Sequence, residues 1–299
     1  METVIRLLEN HGPLTGKDLI RETGMDVFRL WKICNTLDQV ITCVVGKRYL
    51  RLDMKVKGYA RLSPSIMREF LNYTIVGLRT NKPDMIVQAE KLEKEINTIS
   101  NKKINLARDM IRRLVDEHPD RETIIDQSSF IIAGDVVFNM AHSEPRPESS
   151  TGELVKGSDL DIIVVTDNLP GQLIKSLDEV IYREKYNLLT NPVSKEEVDY
   201  IIKDLNTVKE QLKFSDFKAM VASKILYEGQ YLYGSFDLYC RVKHLLTGYG
   251  LVHKLSLLEE DARQNRVKAE ETLISAFGAV DQEELMALFY TTEEKEEIF

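Results

Sequence analysis

The stretch that decides the fold is "GSDLDIIVVTD", which runs from Gly157 to Asp167. Its apolar, β-branched run, 162–165, is typical of a buried strand. Asp159 and Asp161 stand at the start of that run, and side chains two apart in a strand lie on the same face. Two carboxylates side by side repel each other unless a cation lies between them. The stretch therefore predicts a divalent-metal site at the edge of a buried sheet, with Mg²⁺ as the expected ion.

A second acidic strand is predicted in "EEVDYIIKDLN", residues 196–206. Asp199 lies between Val198 and Tyr200 in this pattern, and a carboxylate in such a strand needs a partner. If the strand lies beside the first one, Asp159, Asp161 and Asp199 converge. Three carboxylates can hold two metal ions for an in-line displacement at phosphorus.

Two further segments accompany the aspartates. The apolar strand pattern "SSFIIAGDVVF" (128–138) turns at Gly134, and "SKILYEGQYLYGS" (223–235) follows the third aspartate along the chain. With Asp159, Asp161 and Asp199, these segments resemble the polymerase-β-like nucleotidyltransferase superfamily over residues 122–236, in particular its minimal and antibiotic-nucleotidyltransferase-like members. The resemblance implies transfer of a nucleoside monophosphate from a nucleoside triphosphate to a hydroxyl. It also implies that the three aspartates are the metal-binding and catalytic residues.

The resemblance also assigns nucleotide-binding residues, with two departures. Gly134 and Asp135 stand where the family usually has Gly-Ser or Gly-Gly holding triphosphate oxygens. Asp135 is anionic, so it must face away from phosphate or share a metal. The gap from Gly134 to Asp159 is also longer than the usual spacing, and its His142, Arg146 and Lys156 can supply phosphate contacts. Of the two lysines expected on the helix after Asp199, Lys218 and Lys224, we assign Lys224 to the nucleotide.

The first 61 residues contain three helical patterns followed by an alternating segment. The patterns are "ETVIRLLENHG", "LTGKDLIRETG" and "MDVFRLWKICNTLDQV", with Thr15 and Asp26 as N-caps of the second and third helices. "ITCVVGKRYLRLD" predicts two strands of a hairpin that turns at Gly46-Lys47. This order resembles the winged helix-turn-helix family, and Trp31 is expected in its core.

In that family the third helix enters the DNA major groove and the hairpin contacts the backbone. The predicted DNA contacts are therefore Arg29 and Lys32 on the helix, with Lys47, Arg48 and Arg51 on the hairpin. Residues 1–61 hold eleven Lys/Arg and seven Asp/Glu, a net charge of +4 in a chain of net charge −8. A basic head on an acidic chain indicates the head as the part that meets nucleic acid, with an ordinary solvated surface as the alternative. Winged helices that bind protein or only pack remain the alternative.

The patterns divide the chain into four parts and predict an α+β protein. These are a winged helix (1–61), a helical connector (62–121), a small mixed-sheet nucleotidyltransferase domain (122–236) and C-terminal helices (237–299). The connector carries two amphipathic helical patterns, "DMIVQAEKLEKEINTIS" and "NKKINLARDMIRRLVDE". Three scattered cysteines argue against a disulfide framework. No apolar stretch approaches the roughly 20 residues of a membrane span, so we expect a cytoplasmic protein without a membrane partner.

Two functions of different classes follow. The first is a Mg²⁺-dependent, ATP- or other nucleoside-triphosphate-binding transferase that its winged helix recruits to nucleic acid. The second is a DNA-binding regulator or defence-system component that senses nucleotide without turnover. The intact aspartates favour the first and Asp135 favours the second. The acceptor and the oligomeric state are left open by the sequence.

Overall fold

The computed structural model describes residues 2–148, 151–276 and 282–291. These residues form a mixed α and β protein, as the sequence predicts. Their contacts group the chain into two compact units, which are residues 1–96 with 258–299 and residues 97–257. We call them the terminal unit and the sheet unit. The four-part division at residues 61, 121 and 236 stays a prediction.

The terminal unit begins with three short helices whose ends the sequence explains. Thr15 accepts a hydrogen bond from the N–H of Asp18, and Gly24 ends the same helix in the left-handed conformation. Asp26 caps the third helix by accepting from the N–H of Arg29. The elements up to residue 78 are α1 (Glu2–His11), β1 (Leu14–Thr15), α2 (Gly16–Thr23), α3 (Val27–Thr36), β2 (Val40–Val44), β3 (Tyr49–Leu52), β4 (Ala60–Ser63), α4 (Ile66–Tyr73) and β5 (Thr74–Leu78).

The strands of this unit pair differently from the prediction. The expected hairpin of β2 with β3 is not formed, because β2 pairs with β5, and β3 pairs with β4. The sheet order is β1-β5-β2. Residues 74–77 of β5 are all buried. This burial favours β5 over β3 as the neighbour of β2, although β5 lies farther from β2 in the sequence. Trp31 is buried in the core of the unit, as predicted.

One long helix replaces the two that were predicted for residues 84–117. This helix, α5 (Lys82–Asp116), runs without a break through Ser100 and Asn101. Neither residue is a proline, whose fixed φ and missing N–H would end the helix, so the two amphipathic patterns form one helix. The last two helices are α11 (Leu251–Ser275) and α12 (Gln282–Phe289). Within the described residues, no helix is both long and apolar enough to cross a bilayer.

The sheet unit is built on a four-stranded mixed sheet. Its order is β10-β9-β6-β11, where β10 is parallel to β9 and β6 is antiparallel to it. Helices cover both faces of the sheet, and each face has its own apolar cluster. The elements are α6 (Arg121–Gln127), β6 (Ser128–Ala133), β7 (Pro145–Pro147), β8 (Leu154–Lys156), β9 (Leu160–Thr166), α7 (Gly171–Thr190), β10 (Val198–Asp204), α8 (Leu205–Gln211), α9 (Phe217–Glu228), β11 (Gln230–Gly234) and α10 (Phe236–Gly248).

Candidate metal centre

The parallel pairing of β9 with β10 brings the three aspartates together. In the register of the two strands, Asp161 lies opposite Asp199. Asp159 precedes β9 by one residue and, two positions from Asp161, shares its face. One carboxylate oxygen of each residue lies within 4.8 Å of those of the other two. Residues distant in sequence therefore form one cluster at the start of two adjacent parallel strands.

The environment of the cluster disfavours its own negative charge. Burial, together with repulsion from Asp159, Asp135 and Asp199, raises the pKa of Asp161 well above its usual range. Burial also raises the pKa of Asp159, and the Arg146 guanidinium opposes that rise. Asp199 is the most exposed of the three, at 51 % of its side chain. A bound cation would relieve this repulsion.

Sequence reasoning missed two nearby carboxylates, Glu197 and Glu228. Glu197 directly precedes β10, and its carbonyl accepts a hydrogen bond from the N–H of Leu160. Burial and repulsion from Asp159 and Asp199 raise the pKa of Glu197, against an opposing effect of Arg146. The sequence did contain a signal for Glu197: Glu197 and Asp199 are separated by one residue, as Asp159 and Asp161 are. No comparable pattern pointed to Glu228, the last residue of α9.

Gly134 directly follows β6, beside the cluster. Ala133 pairs with Asp161 across the sheet, and Gly134 has a φ of 78°. A Cβ at Gly134 would lie 2.3 Å from Oδ2 of Asp161. Only glycine fits there, because both the left-handed backbone and the close carboxylate exclude a side chain. The N–H of Gly134 donates to Oε1 of Glu228 at 3.4 Å.

The other two residues predicted to bind nucleotide are Asp135, which directly follows Gly134, and Lys224 of α9. Asp135 accepts a hydrogen bond from the Ser158 hydroxyl at 3.1 Å, and it lies close enough to Asp159 and Asp161 to raise their pKa. Lys224 forms an ion pair with Glu228, whose side chain is only 4 % exposed. The turn therefore has carboxylates beside it, and the nearby Lys224 is already paired with Glu228.

Among the described residues, two other cations reach the cluster itself. Lys185 of α7 binds Oδ1 of Asp199 through its Nζ at 2.7 Å. Nη2 of Arg146 lies 2.6 Å from Oε2 of Glu197 and 3.8 Å from Oδ2 of Asp159. The sequence named Arg146 as a phosphate contact but gave no signal for Lys185.

His142 and Lys156, the other two residues named from the long gap, contact other parts of the chain. His142 is buried, and its carbonyl accepts from the N–H of Ser158. Lys156 donates to the Val193 carbonyl. Of the three side chains named from the gap, Arg146 is thus the one whose contacts with the acidic cluster are observed.

The donor set fits a hard divalent cation. The ligand atoms available are carboxylate oxygens, which Mg²⁺ prefers over nitrogen and sulfur ligands. Burial first, and then repulsion from neighbouring carboxylates, raises the pKa of Asp161 and of Asp159, and a bound cation would offset both effects. Asp159, Asp161 and Asp199 are the residues that would hold the ion.

The residues predicted to contact DNA are dispersed in the terminal unit. Lys32 donates to the Ala276 carbonyl at 2.7 Å, and Arg48 binds the buried carboxylate of Glu69 at 2.6 Å. Arg51 is half-buried. Arg29 and Lys47 are exposed, so they are the better placed of the five for a phosphate backbone. DNA binding by residues 1–61 stays a prediction.

No protein-family model matches the sequence, and no curated protein matches it either. Function must therefore be inferred from the carboxylate cluster and the groups around it.

Proposed function

We propose that the protein is a Mg²⁺-dependent nucleotidyltransferase, which transfers a nucleoside monophosphate from a nucleoside triphosphate to a hydroxyl acceptor. The observation that carries the proposal is the convergence of Asp159, Asp161 and Asp199 at one end of two parallel strands. Carboxylates in this arrangement suit a reaction in which cations must gather around phosphate oxygens. The mixed sheet with helices on both faces is compatible with the nucleotidyltransferase fold that the resemblance implies.

Each aspartate has a distinct part in this proposal. Asp159 and Asp161, the less exposed pair, hold Mg²⁺, which when bound neutralises phosphate charge and polarises the phosphorus–oxygen bonds. Asp199 completes the site and, as the most exposed carboxylate, accepts the proton of the attacking hydroxyl. The acceptor oxygen bonds to the α-phosphorus, the bond from the α-phosphorus to its bridging oxygen breaks, and pyrophosphate leaves.

The winged-helix resemblance adds recruitment to duplex DNA as a second part of the proposal. Support comes from the helices α1 to α3 and from the exposure of Arg29 and Lys47. We expect weak binding that falls steeply with added salt, since Lys and Arg would mainly contact phosphates. A gel-shift titration of wild type against Arg29→Ala/Lys47→Ala tests it. Equal binding by both proteins would refute contacts from Arg29 and Lys47, and no binding even at low salt would leave the terminal unit with a packing or protein-binding role.

One observation favours a nucleotide sensor as the second candidate function. Asp135 is close enough to Asp159 and Asp161 to raise their pKa, so it adds a negative charge beside the metal-binding carboxylates. A further negative charge at this turn opposes the approach of a triphosphate. In a sensor, nucleotide and Mg²⁺ would bind without release of pyrophosphate.

Labelled nucleotide separates the two functions. The protein is incubated with Mg²⁺ and each of the four α-³²P-labelled nucleoside triphosphates, in the presence of an RNA with a free 3′ hydroxyl, a hydroxylated antibiotic, a second nucleotide or a carrier protein. We expect a labelled product from wild type and none from Asp159→Asn/Asp161→Asn. Asp167→Asn is the matched control, because Asp167 follows the other end of β9 and pairs with Arg241. Nucleotide binding without product would support the sensor, and label transfer by the double variant would refute the aspartate assignment.

A further inference from the structure

The turn at Gly134 offers few contacts to an incoming polyphosphate. Its N–H already donates to Glu228, and the same carboxylate holds the ammonium group of Lys224. The next residue, Asp135, is itself an anion. The chain's own carboxylates thus occupy the donors that would otherwise attract phosphate. A triphosphate that approaches the three aspartates needs a cationic contact from another element.

The hairpin of β7 and β8 supplies such a contact. Arg146 lies opposite Val155 in this hairpin, and Val155 is buried. The hairpin is fixed to the segment before β10 by a hydrogen bond from the N–H of Lys156 to the Lys195 carbonyl at 2.8 Å. Only 12 % of the Arg146 side chain is exposed. The guanidinium is therefore held in one place at the acidic cluster.

The contacts of Arg146 leave it able to bind a further anion. Nε donates to the Gly157 carbonyl at 2.9 Å, and Nη2 binds Glu197 at 2.6 Å. A guanidinium carries five N–H donors in a planar fork, so these two contacts do not exhaust it. The 3.8 Å separation between Nη2 and Oδ2 of Asp159 is longer than a hydrogen bond, so Arg146 is not hydrogen-bonded to that oxygen through Nη2. Arg146 thus lies beside the metal-binding carboxylates without forming a close ion pair with Asp159.

We propose that Arg146 binds the phosphates of the substrate at this site, in place of the contacts that the Gly134 turn lacks. The proposal rests on the proposed function, because it requires a polyphosphate next to Asp159. Arginine suits the task, since its fork pairs with two phosphate oxygens at once. Glu197 and the Gly157 carbonyl hold the fork in position before the ligand arrives.

Two binding measurements on the full-length protein test Arg146. The first titrates Mn²⁺ alone, and the second titrates inorganic tripolyphosphate in excess Mg²⁺, which presents the phosphates of any nucleoside triphosphate without a base. The proteins are wild type, Arg146→Gln, Arg146→Lys and the control Arg112→Gln. Arg112 belongs to the same unit, is 58 % exposed and pairs with Asp109 on its own helix.

We expect Arg146→Gln to weaken tripolyphosphate binding by about tenfold or more, the loss expected for one charge-assisted contact. Its Mn²⁺ affinity should be unchanged or higher, because a positive charge near the ion is gone. Arg146→Lys should lie between wild type and Arg146→Gln, and Arg112→Gln should match wild type. Loss of both ligands would mean that Arg146 only holds the carboxylates in place, and unchanged tripolyphosphate binding would exclude a phosphate contact. Either result overturns the proposal.

The same data distinguish this inference from the proposed function. If wild type binds tripolyphosphate through Arg146 but forms no labelled product, the transferase proposal fails and the phosphate contact stands. If wild type binds Mn²⁺ but no tripolyphosphate, both fail and only the metal site remains.

Discussion

Replacing Asp161 by Asn should stabilise the metal-free protein and remove its response to Mg²⁺. Asparagine keeps the shape of the side chain but removes a charge that burial and the neighbouring carboxylates disfavour. Wild type should therefore be the less stable of the two in EDTA at neutral pH. Added Mg²⁺ should stabilise wild type and leave Asp161→Asn nearly unchanged.

The magnitude follows from the geometry. Two unit charges at the 4.8 Å limit of the cluster repel by about 3.5 kcal/mol at an effective dielectric constant of roughly 20. Arg146, Lys185 and the water around Asp199 offset part of this repulsion. We expect a gain of about 1–3 kcal/mol in the free energy of unfolding for Asp161→Asn. Mg²⁺ at about 100 times its Kd should add about 2.7 kcal/mol to wild type.

The effect should also depend on pH. Because the folded protein raises the pKa of Asp161, the contribution of this residue to stability is complete below its unfolded-state pKa and is lost as pH rises through the folded-state pKa. The advantage of Asp161→Asn in EDTA should therefore grow from acid to neutral pH. Urea unfolding followed by far-UV circular dichroism measures it. Fluorescence of the single tryptophan, Trp31, reports the terminal unit and not the sheet unit.

The control for this experiment is Asp167→Asn, which removes a carboxylate outside the cluster. It should change stability by less than about 1 kcal/mol, the usual size of a surface ion pair, and should keep the response to Mg²⁺. The reasoning is refuted if Asp161→Asn is less stable than wild type in EDTA, or if Mg²⁺ stabilises both proteins equally.

Three other substitutions test single features of the structure. Gly134→Ala should abolish Mn²⁺ binding in calorimetry, because the new Cβ displaces the Asp161 carboxylate; retained binding would show that the turn adapts. Lys185→Gln should tighten Mn²⁺ binding, because it removes the cation that pairs with Asp199. The control Lys175→Gln, at an exposed position of the same helix, should leave Mn²⁺ affinity unchanged. Equal tightening by both variants would mean that the net charge of the protein, and not the Lys185–Asp199 pair, sets the affinity. Glu69→Gln should lower the stability of the terminal unit by about 3–5 kcal/mol, because two arginines lose a buried partner; a change below about 1 kcal/mol in Trp31-detected unfolding would contradict this.

Local patterns in the sequence determined several elements of the fold. The apolar, β-branched run after Asp159 and Asp161 located β9, and the apolar residues that flank Asp199 located β10. Thr15 and Asp26 marked the starts of two helices. These signals were readable because strand period and helix capping depend on residues within a few positions of each other.

The partners of those elements were decided by the tertiary structure. The hairpin predicted at Gly46-Lys47 gave way to pairing of β2 with β5, since burial of a distant strand outweighed a local turn signal. The parallel register of Asp161 with Asp199 likewise depends on how β9 and β10 pack against the helices.

The charges around the aspartates were the part that the sequence left most open. Glu228, Lys185 and Arg146 come from α9, α7 and an inserted hairpin, and each meets the cluster only through the folded chain. Electrostatic interactions act through space, so no local pattern encodes which distant cation or carboxylate will face a given aspartate. The sequence by itself determined that two acidic strands exist, and only the tertiary structure decided what surrounds them.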